Sequence, residues 1–361
     1  MLFLLLAGCV RAFQLGSTDT QAPDGPVPDA EPTQVLVTVC QSGCDHTKID
    51  EAIAFVTSMD NPKRYPIVIE VRDSRSYVGN LSIAAIKSGV SVELRGAEAH
   101  PVIIGENTAV GSGRPGGSAI TIDAPNVTVG GFMFKGTSHR AISVSAPGVT
   151  LHHNAFTADF KYWDNDQYFR ATCVCLMGRG TEDAYLFNNT FHDCQESFQI
   201  VDGTSGSTIK LRNNVFVQLS DNHTNIIEPI IWIRQPVSDY ALDFDYNLYY
   251  YTGAEAIAWV GASSGASVVT MKEWQALGLD PHGVGTTQDP GLFNPLAHDF
   301  HLLSAAGRYD PATEEFVLDG TTSPAIDAGD PTLATGGETM PNGGRVNLGC
   351  FGGTKEASRS N

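Results

Sequence analysis

The chain has 361 residues, 42% of them hydrophobic, with 37 glycines, and its 40 acidic against 22 basic residues give a formal net charge of −18. That excess repels polyanions at long range, which excludes nucleic acid as a partner and means that an acidic polymer would need calcium bridges or a local basic patch. Beyond the N-terminal run, no segment approaches the roughly 18 consecutive apolar residues that span a bilayer.

The chain opens on an apolar run, Met1 to Cys9, that ends in Leu6-Ala7-Gly8-Cys9. This ending resembles the lipobox of bacterial lipoproteins, which implies that Cys9 carries a lipid and that residues 1–15 form a signal and anchor segment. The run is shorter than a usual signal core and no basic residues precede it. A truncated gene start accounts for this, and a buried N-terminal strand is the competing reading. Residues 16–34, rich in Pro, Asp, Thr and Gly, read as a linker. The expected location is the bacterial cell envelope, lipid-anchored and outward facing, or the secreted fraction.

Ile49, Ile53 and Val56 share one face of a predicted helix over His46 to Val56. Of the seven cysteines, Cys40 and Cys44 read as a disulfide. Cys173 and Cys175, two apart on one strand, cannot easily bond each other; one of them can reach Cys194, with buried free thiols the equal alternative. No Cys-x-x-Cys or nearby histidine pair completes a zinc set.

A repeat follows. Ala119-Ile-Thr-Ile-Asp-Ala-Pro-Asn-Val-Thr-Val129 matches Ala141-Ile-Ser-Val-Ser-Ala-Pro-Gly-Val-Thr-Leu151 at an offset of 22 residues, and Phe134 and Phe156 keep the same offset. Each copy alternates with period two and turns at Ala-Pro, predicting three short strands per unit and no helix. Asparagine precedes an aromatic by two residues four times, at Asn154/Phe156, Asn189/Phe191, Asn214/Phe216 and Asn247/Tyr249. Strands this short bury an apolar face only when copies stack, so the pattern predicts a solenoid with the aromatics inside and asparagine at the bend, where it tolerates left-handed backbone and bonds to neighbouring turns.

From about Val35 to Tyr250 this pattern resembles the right-handed parallel β-helix proteins of the pectate-lyase-like superfamily. The resemblance implies an all-β solenoid of three-strand turns over residues 35–266, plugged at its N-terminal end by the helix. Residues 267–361, with Asp289-Pro-Gly-Leu-Phe293, Ser323-Pro-Ala-Ile-Asp-Ala-Gly-Asp330 and Asn342-Gly-Gly-Arg-Val-Asn-Leu-Gly349, resemble the tail of many secreted bacterial β-helix proteins and read as a structural cap. The superfamily hosts lyases, hydrolases, esterases, epimerases and proteins without activity, so fold alone names no reaction.

In the resembled fold, substrates lie along the outer face of the first strands, here near Ala119–Asp123, Ala141–Ser145, Thr172–Leu176, Ser197–Val201, Ile230–Arg234 and Ala256–Val260. If Ile120, Ile122, Ile142 and Val144 point inward, alternation exposes Thr121, Asp123, Ser143 and Ser145, and further along Gln199, Trp232 and Arg234. The longest break in the period, between Phe156 and Phe191, contains Asp159-Phe-Lys-Tyr-Trp-Asp-Asn-Asp-Gln-Tyr-Phe-Arg170. Its Phe160, Tyr162, Trp163 and Tyr168 suit stacking on sugar rings, and Asp164, Asn165 and Asp166, with Asp159 nearby, are hard oxygen ligands suited to calcium. The alternative is a surface loop whose aromatics fold down on the coil and whose acids are solvated.

A uronate lyase needs a base for the proton beside the carboxylate and a positive charge on that carboxylate. Lys161, Arg170 and Arg234 are the candidates, with His139 and Arg140 at the start of a first strand; Lys210 and Arg212 belong to second strands. No first strand exposes a lysine, a departure from calcium-dependent alginate and chondroitin lyases. Motifs of polygalacturonases and pectin methylesterases are absent. For hydrolysis, Asp123, Asp159, Asp164, Glu196 and Asp202 are too many carboxylates to choose among. His152 and His153 read as structural, since adjacent strand residues face opposite sides. Two functions therefore stand. One is a monomeric protein that binds an extracellular polysaccharide and cleaves a uronate polymer by calcium-assisted elimination. The other is a non-catalytic adhesin, scaffold or carbohydrate-recognition protein using the same aromatics.

Overall fold

A computed structural model describes residues 33–360 except 98–99, 106–108, 111–113, 116, 137–138, 158–161, 165–166, 170–171, 179–182, 195, 202–205, 220–228, 253–255, 263–264 and 287–288. Cys9 and the anchor lie outside the described residues.

The chain winds as a parallel β-helix of three eight-stranded sheets, each turn contributing one strand to each. The first sheet runs Leu81–Ile83, Ser118–Ile122, Arg140–Val144, Thr172–Leu176, Phe198–Ile200, Ile231–Ile233 and Ala256–Val260, and closes on the antiparallel strand Ser267–Thr270. The second begins at Val35–Val39 and ends at Ala241–Asp245; the third runs from Ser76–Val78 to Val284–Thr286. The 22-residue repeat is visible as pairing, because Ile120 faces Ile142 and Val129 faces Leu151.

Inward side chains of all three sheets form one continuous core, including Ile120, Ile142, Val174, Phe198 and Ile231 in pairing register. The predicted helix spans Ile49–Ser58 and buries Ile49, Ala52, Ile53 and Val56 against the N-terminal end. At the other end, Met271–Ala276 begins with a reciprocal capping box between Thr270 and Glu273 and buries Trp274 against Phe244. Both helices cover strand ends that would otherwise pair with another chain.

The bend between second and third strands is built by residue pairs with divided roles. Left-handed backbone belongs to the first member, His153, Asn188, Asn213 or Tyr246, with φ between 50° and 59°. The ladder asparagine is the second, which corrects the expectation that one residue does both jobs. Asn189 Nδ2 donates to Leu151 O at 2.9 Å and to Asn214 Oδ1 at 3.0 Å, and that same oxygen accepts Asn189 N at 2.9 Å. Asn154, Asn214 and Asn247 repeat this pattern. Beside them Phe134, Phe156, Phe191, Phe216 and Tyr249 stack with centroids 4.8 to 5.1 Å apart.

Asp280 terminates the ladder. Its carboxylate accepts Asn247 N and Nδ2 and the Tyr249 hydroxyl, the last two at 2.7 Å. Burial pushes its pKa up to about 6 despite these donors.

The first members of the bend pairs point outward and hold the C-terminal tail. Asn188 Nδ2 donates to Asn347 O, Asn213 Oδ1 accepts Asp330 N, and His153 Nε2 bonds Gly352 O at 2.9 Å. Leu292, Phe300, Leu302, Ala325 and Leu348 of the tail pack with Ala155, Val215, Val217 and Leu248 of the third sheet in a second, smaller core. Two disulfides form, Cys40–Cys44 and Cys173–Cys194; Cys175 and Cys350 are buried thiols.

Two predictions follow from the ladder. Asn214→Ala leaves the donors of Asn189 and the carbonyl of Leu186 unpaired in a dry interior, and is expected to cost on the order of 3 kcal/mol in denaturant unfolding; a loss below about 0.5 kcal/mol would show that the amide carries no such burden. The raised pKa of Asp280 means the folded chain holds this proton more tightly than the unfolded chain. Its contribution is therefore present below the ordinary carboxylate value of 3.8 and is lost as pH rises through about 6. Asp280→Asn should remove that part of the decline, read as the difference between the two proteins' stability-versus-pH curves across this window; parallel curves would contradict it.

Candidate functional site

Strict register lines the outward positions of the first sheet into a single row. Ser82, Thr121, Ser143, Cys175, Gln199, Trp232 and Trp259 pair turn by turn. The row passes from small hydroxyls through a thiol and an amide to two indoles. Cys175 Sγ donates to Gln199 Oε1 at 3.4 Å, Trp232 Nε1 donates to Gly261 O at 3.1 Å, and the Trp259 ring meets Trp232 edge-on at 5.7 Å.

This row is less open than alternation predicts. Ser143 and Gln199 are each 4% exposed and Trp232 is 8% exposed, while Thr121, Arg234 and Trp259 are partly exposed. Gln199 and Trp232 are therefore on the expected face but are not free surface groups.

Charge flanks this row, with Arg140 and Glu196 at the strand-start edge and Arg234 at the strand-end edge. Arg140 and Arg234 both act electrostatically on Glu196 and on the Cys175 thiol. Arg234 lies over the Trp232 ring with its guanidinium carbon 4.2 Å from the centroid. Thr172 Oγ1 donates to Glu196 Oε2 at 2.6 Å across adjacent strands. Burial raises the Glu196 pKa, and the Thr172 hydrogen bond and the two arginines offset this only in part. The same burial pushes the Cys175 thiol up to about 11, so it is a neutral hydrogen-bond donor and not a nucleophile at neutral pH. His139 is pushed down to about 4 by burial and by Arg140, which keeps its ring neutral. Among the described residues, the Nε atoms of Arg140 and Arg234 are buried without a hydrogen-bond partner.

These residues come from positions 140, 172, 175, 196 and 234, brought together by stacking. Arg140, Arg234 and Glu196 are each visible in sequence as candidates, but Glu196 is one of five carboxylates there. The Thr172–Glu196 bond and the Cys175 link escape sequence reasoning altogether. The signal that could have found them is register: once Val174 is aligned with Phe198, Thr172 falls opposite Glu196.

The expected substrate loop contains an antiparallel hairpin, Tyr162–Asp164 paired with Gln167–Phe169, in which Trp163 faces Tyr168 in backbone register. It is inserted between a third-sheet strand, Ala155–Thr157, and a first-sheet strand, Thr172–Leu176. Asp159, Lys161, Asp166 and Arg170 lie outside the described residues. Among the described residues, no group of three His, Cys, Asp or Glu side chains could hold a metal ion. The expected calcium ligands Asp159 and Asp166 lie outside that set.

Lys210 and Arg212, set aside in sequence, lie on the second sheet, with Arg212 bound to Asp243 and Asp330. His152 and His153 do meet, with Nδ1 atoms 2.9 Å apart, because the left-handed backbone at His153 breaks strand alternation. Burial lowers their pKa values to about 4 and about 3, so both rings are neutral. His153 Nε2–H then donates to Gly352 O, and its Nδ1 accepts from His152. The pair is a tail fastening, in keeping with its structural reading, though the alternation argument for it fails.

No family model matches the chain, and no curated protein matches it. Among solved structures, the crystal structure of Escherichia coli YbhC aligns with a TM-score of 0.30 and 12% identity, over 64% of this chain and 77% of that one.

Proposed function

We propose that this chain is an extracellular carbohydrate-binding protein that takes an acidic saccharide over the first sheet. The observation that carries the reading is that Arg140 and Arg234, from two turns and from opposite edges of that sheet, both act on Glu196 in a chain whose net charge is −18. Two guanidiniums suit the planar carboxylate of a uronate, which each can meet with paired N–H donors. Trp232 and Trp259 supply ring faces and edges at one end of the row, and the hairpin carrying Tyr162, Trp163 and Tyr168 borders the sheet along the chain. Two disulfides support an oxidising, extracellular location. A tether through Cys9, and membership of the pectate-lyase-like superfamily, belong to the same proposal.

In the catalytic form of this reading the reaction is elimination from a uronate polymer. Arg140 holds the carboxylate, one of Lys161, Arg170 and Arg234 takes the neighbouring proton, and Glu196, whose pKa burial raises, gives a proton to the leaving oxygen. The low exposure of Gln199 and Trp232 favours the second form, recognition without turnover, since a polymer reaches the arginine edges more readily than the strand row.

Alginate, pectate and glycosaminoglycan panels, each with calcium or with chelator, separate the two forms through the absorbance of unsaturated uronates. Product formation supports elimination, and its absence from every substrate rules elimination out. Binding measured alongside on a glycan array should weaken at least about tenfold, about 1.4 kcal/mol, in the Arg140→Ala/Arg234→Ala double variant. Undiminished binding of acidic glycans by that variant, with its thermal midpoint unchanged, would refute the arginine site.

A further inference from the structure

The tail does more than cover the third sheet. Where it crosses the N-terminal half of the coil, it forms with that half an open cleft of about 880 Å³. Met133 and His100 come from the coil side, and Asp299, His301, Tyr309, Phe351 and Glu356 from the tail. The volume falls within the range of sites that hold small molecules.

The polar groups in this cleft are arranged but not mutually satisfied. His301 is 3% exposed, and its Nδ1 bonds Asp299 Oδ1 at 2.6 Å. Its Nε2 is buried with no hydrogen-bond partner, 3.6 Å from Glu356 Oε2. His100 Nε2 approaches the same carboxylate oxygen at 3.7 Å. Both contacts are longer than a hydrogen bond, so imidazole N–H and carboxylate oxygen keep bonding capacity that a hydroxyl lying beside them can use. Burial disfavours a charged His301, but the hydrogen bond from Nδ1 to Asp299 and the charges of Asp299 and Glu356 outweigh it and raise its pKa, which favours a proton on Nε2. Phe351, stacked on His301 at 3.6 Å between centroids, fixes the plane of that ring.

Charge selects the ligand class. The carboxylates of Asp299, Glu314 and Glu356 are nearly offset by Lys355 and by His301, whose pKa is raised, so neither an anion nor a simple amine cation is strongly favoured. We propose that this cleft is a second ligand site, for a neutral mono- or disaccharide, with Glu356 accepting from and His301 donating to a sugar hydroxyl. The site does not depend on the acidic-saccharide reading of the first sheet, because it shares no residue with it.

Calorimetric titration of the full chain with glucose, galactose, mannose, maltose and lactose tests the proposal, with glucuronate and glucosamine as charge controls. At least one neutral sugar is expected to bind with a millimolar or tighter Kd, and Glu356→Gln should weaken it about tenfold or more. The Arg140→Ala/Arg234→Ala variant should bind that sugar as the parent does. Should Glu356→Gln fail to fold, Glu314→Gln and Lys355→Ala on the exposed rim replace it, with weakening of at least about threefold expected from one of them. Absence of binding by every neutral sugar, preference for glucosamine or glucuronate, or affinity indifferent to the lining variants would each overturn the proposal.

Discussion

Everything in this molecule depends on a buried amide being satisfied from above and below. At each bend between second and third strands the backbone must turn inside the core, where water cannot bond its polar groups. The ladder asparagines meet that demand with two donors and one acceptor apiece, bonding the backbone of one turn and the amide of the next. Such a chain of bonds works only if successive turns sit one strand spacing apart, and the 4.8 to 5.1 Å aromatic stack beside it obeys the same spacing. A slip of one residue in any turn would break both ladders at once, so register is held far more firmly than hydrophobic contact alone would hold it.

That register is what gives the surface chemical meaning. Because turns are locked, the outward positions of the first sheet form one row, and residues as distant as 140, 196 and 234 are carried to its two edges. Insertions between strands do not disturb the alignment; they leave the coil, as the hairpin between Thr157 and Thr172 does, and return in phase. The fold thus separates two tasks. The core and ladder set position, while loops and outward side chains are free to carry chemistry.

The same division explains what could be read from the sequence. Inward aromatics, ladder asparagines and the cap helix follow local rules of period and propensity, so strands such as Arg140–Val144 and Thr172–Leu176 are legible to within a residue. The split role of the bend pairs is not, because His153, Asn188, Asn213 and Tyr246 span three side-chain types and what all four share is their left-handed φ. Nor is the Thr172–Glu196 bond, which exists through pairing between turns. The exposure of Trp232 fails for a related reason: alternation assigns a side chain to a face but says nothing about what lies over that face. The tail is the hardest case, since its hydrogen bonds to the bend pairs bridge 117 to 199 residues and have no periodic signature.

The bend pairs also tie the two faces together. One member of each pair builds the interior ladder and its neighbour grips the tail, so the device that fixes the coil's register also fixes where Asp299, His301 and Glu356 meet His100. The result is a molecule with two chemically distinct margins. Two arginines flank the first sheet, whereas the cleft at the third sets its carboxylates against Lys355 and His301. An acidic chain can concentrate its few cations only by bringing together residues far apart in sequence, and the locked stacking of turns is what allows it.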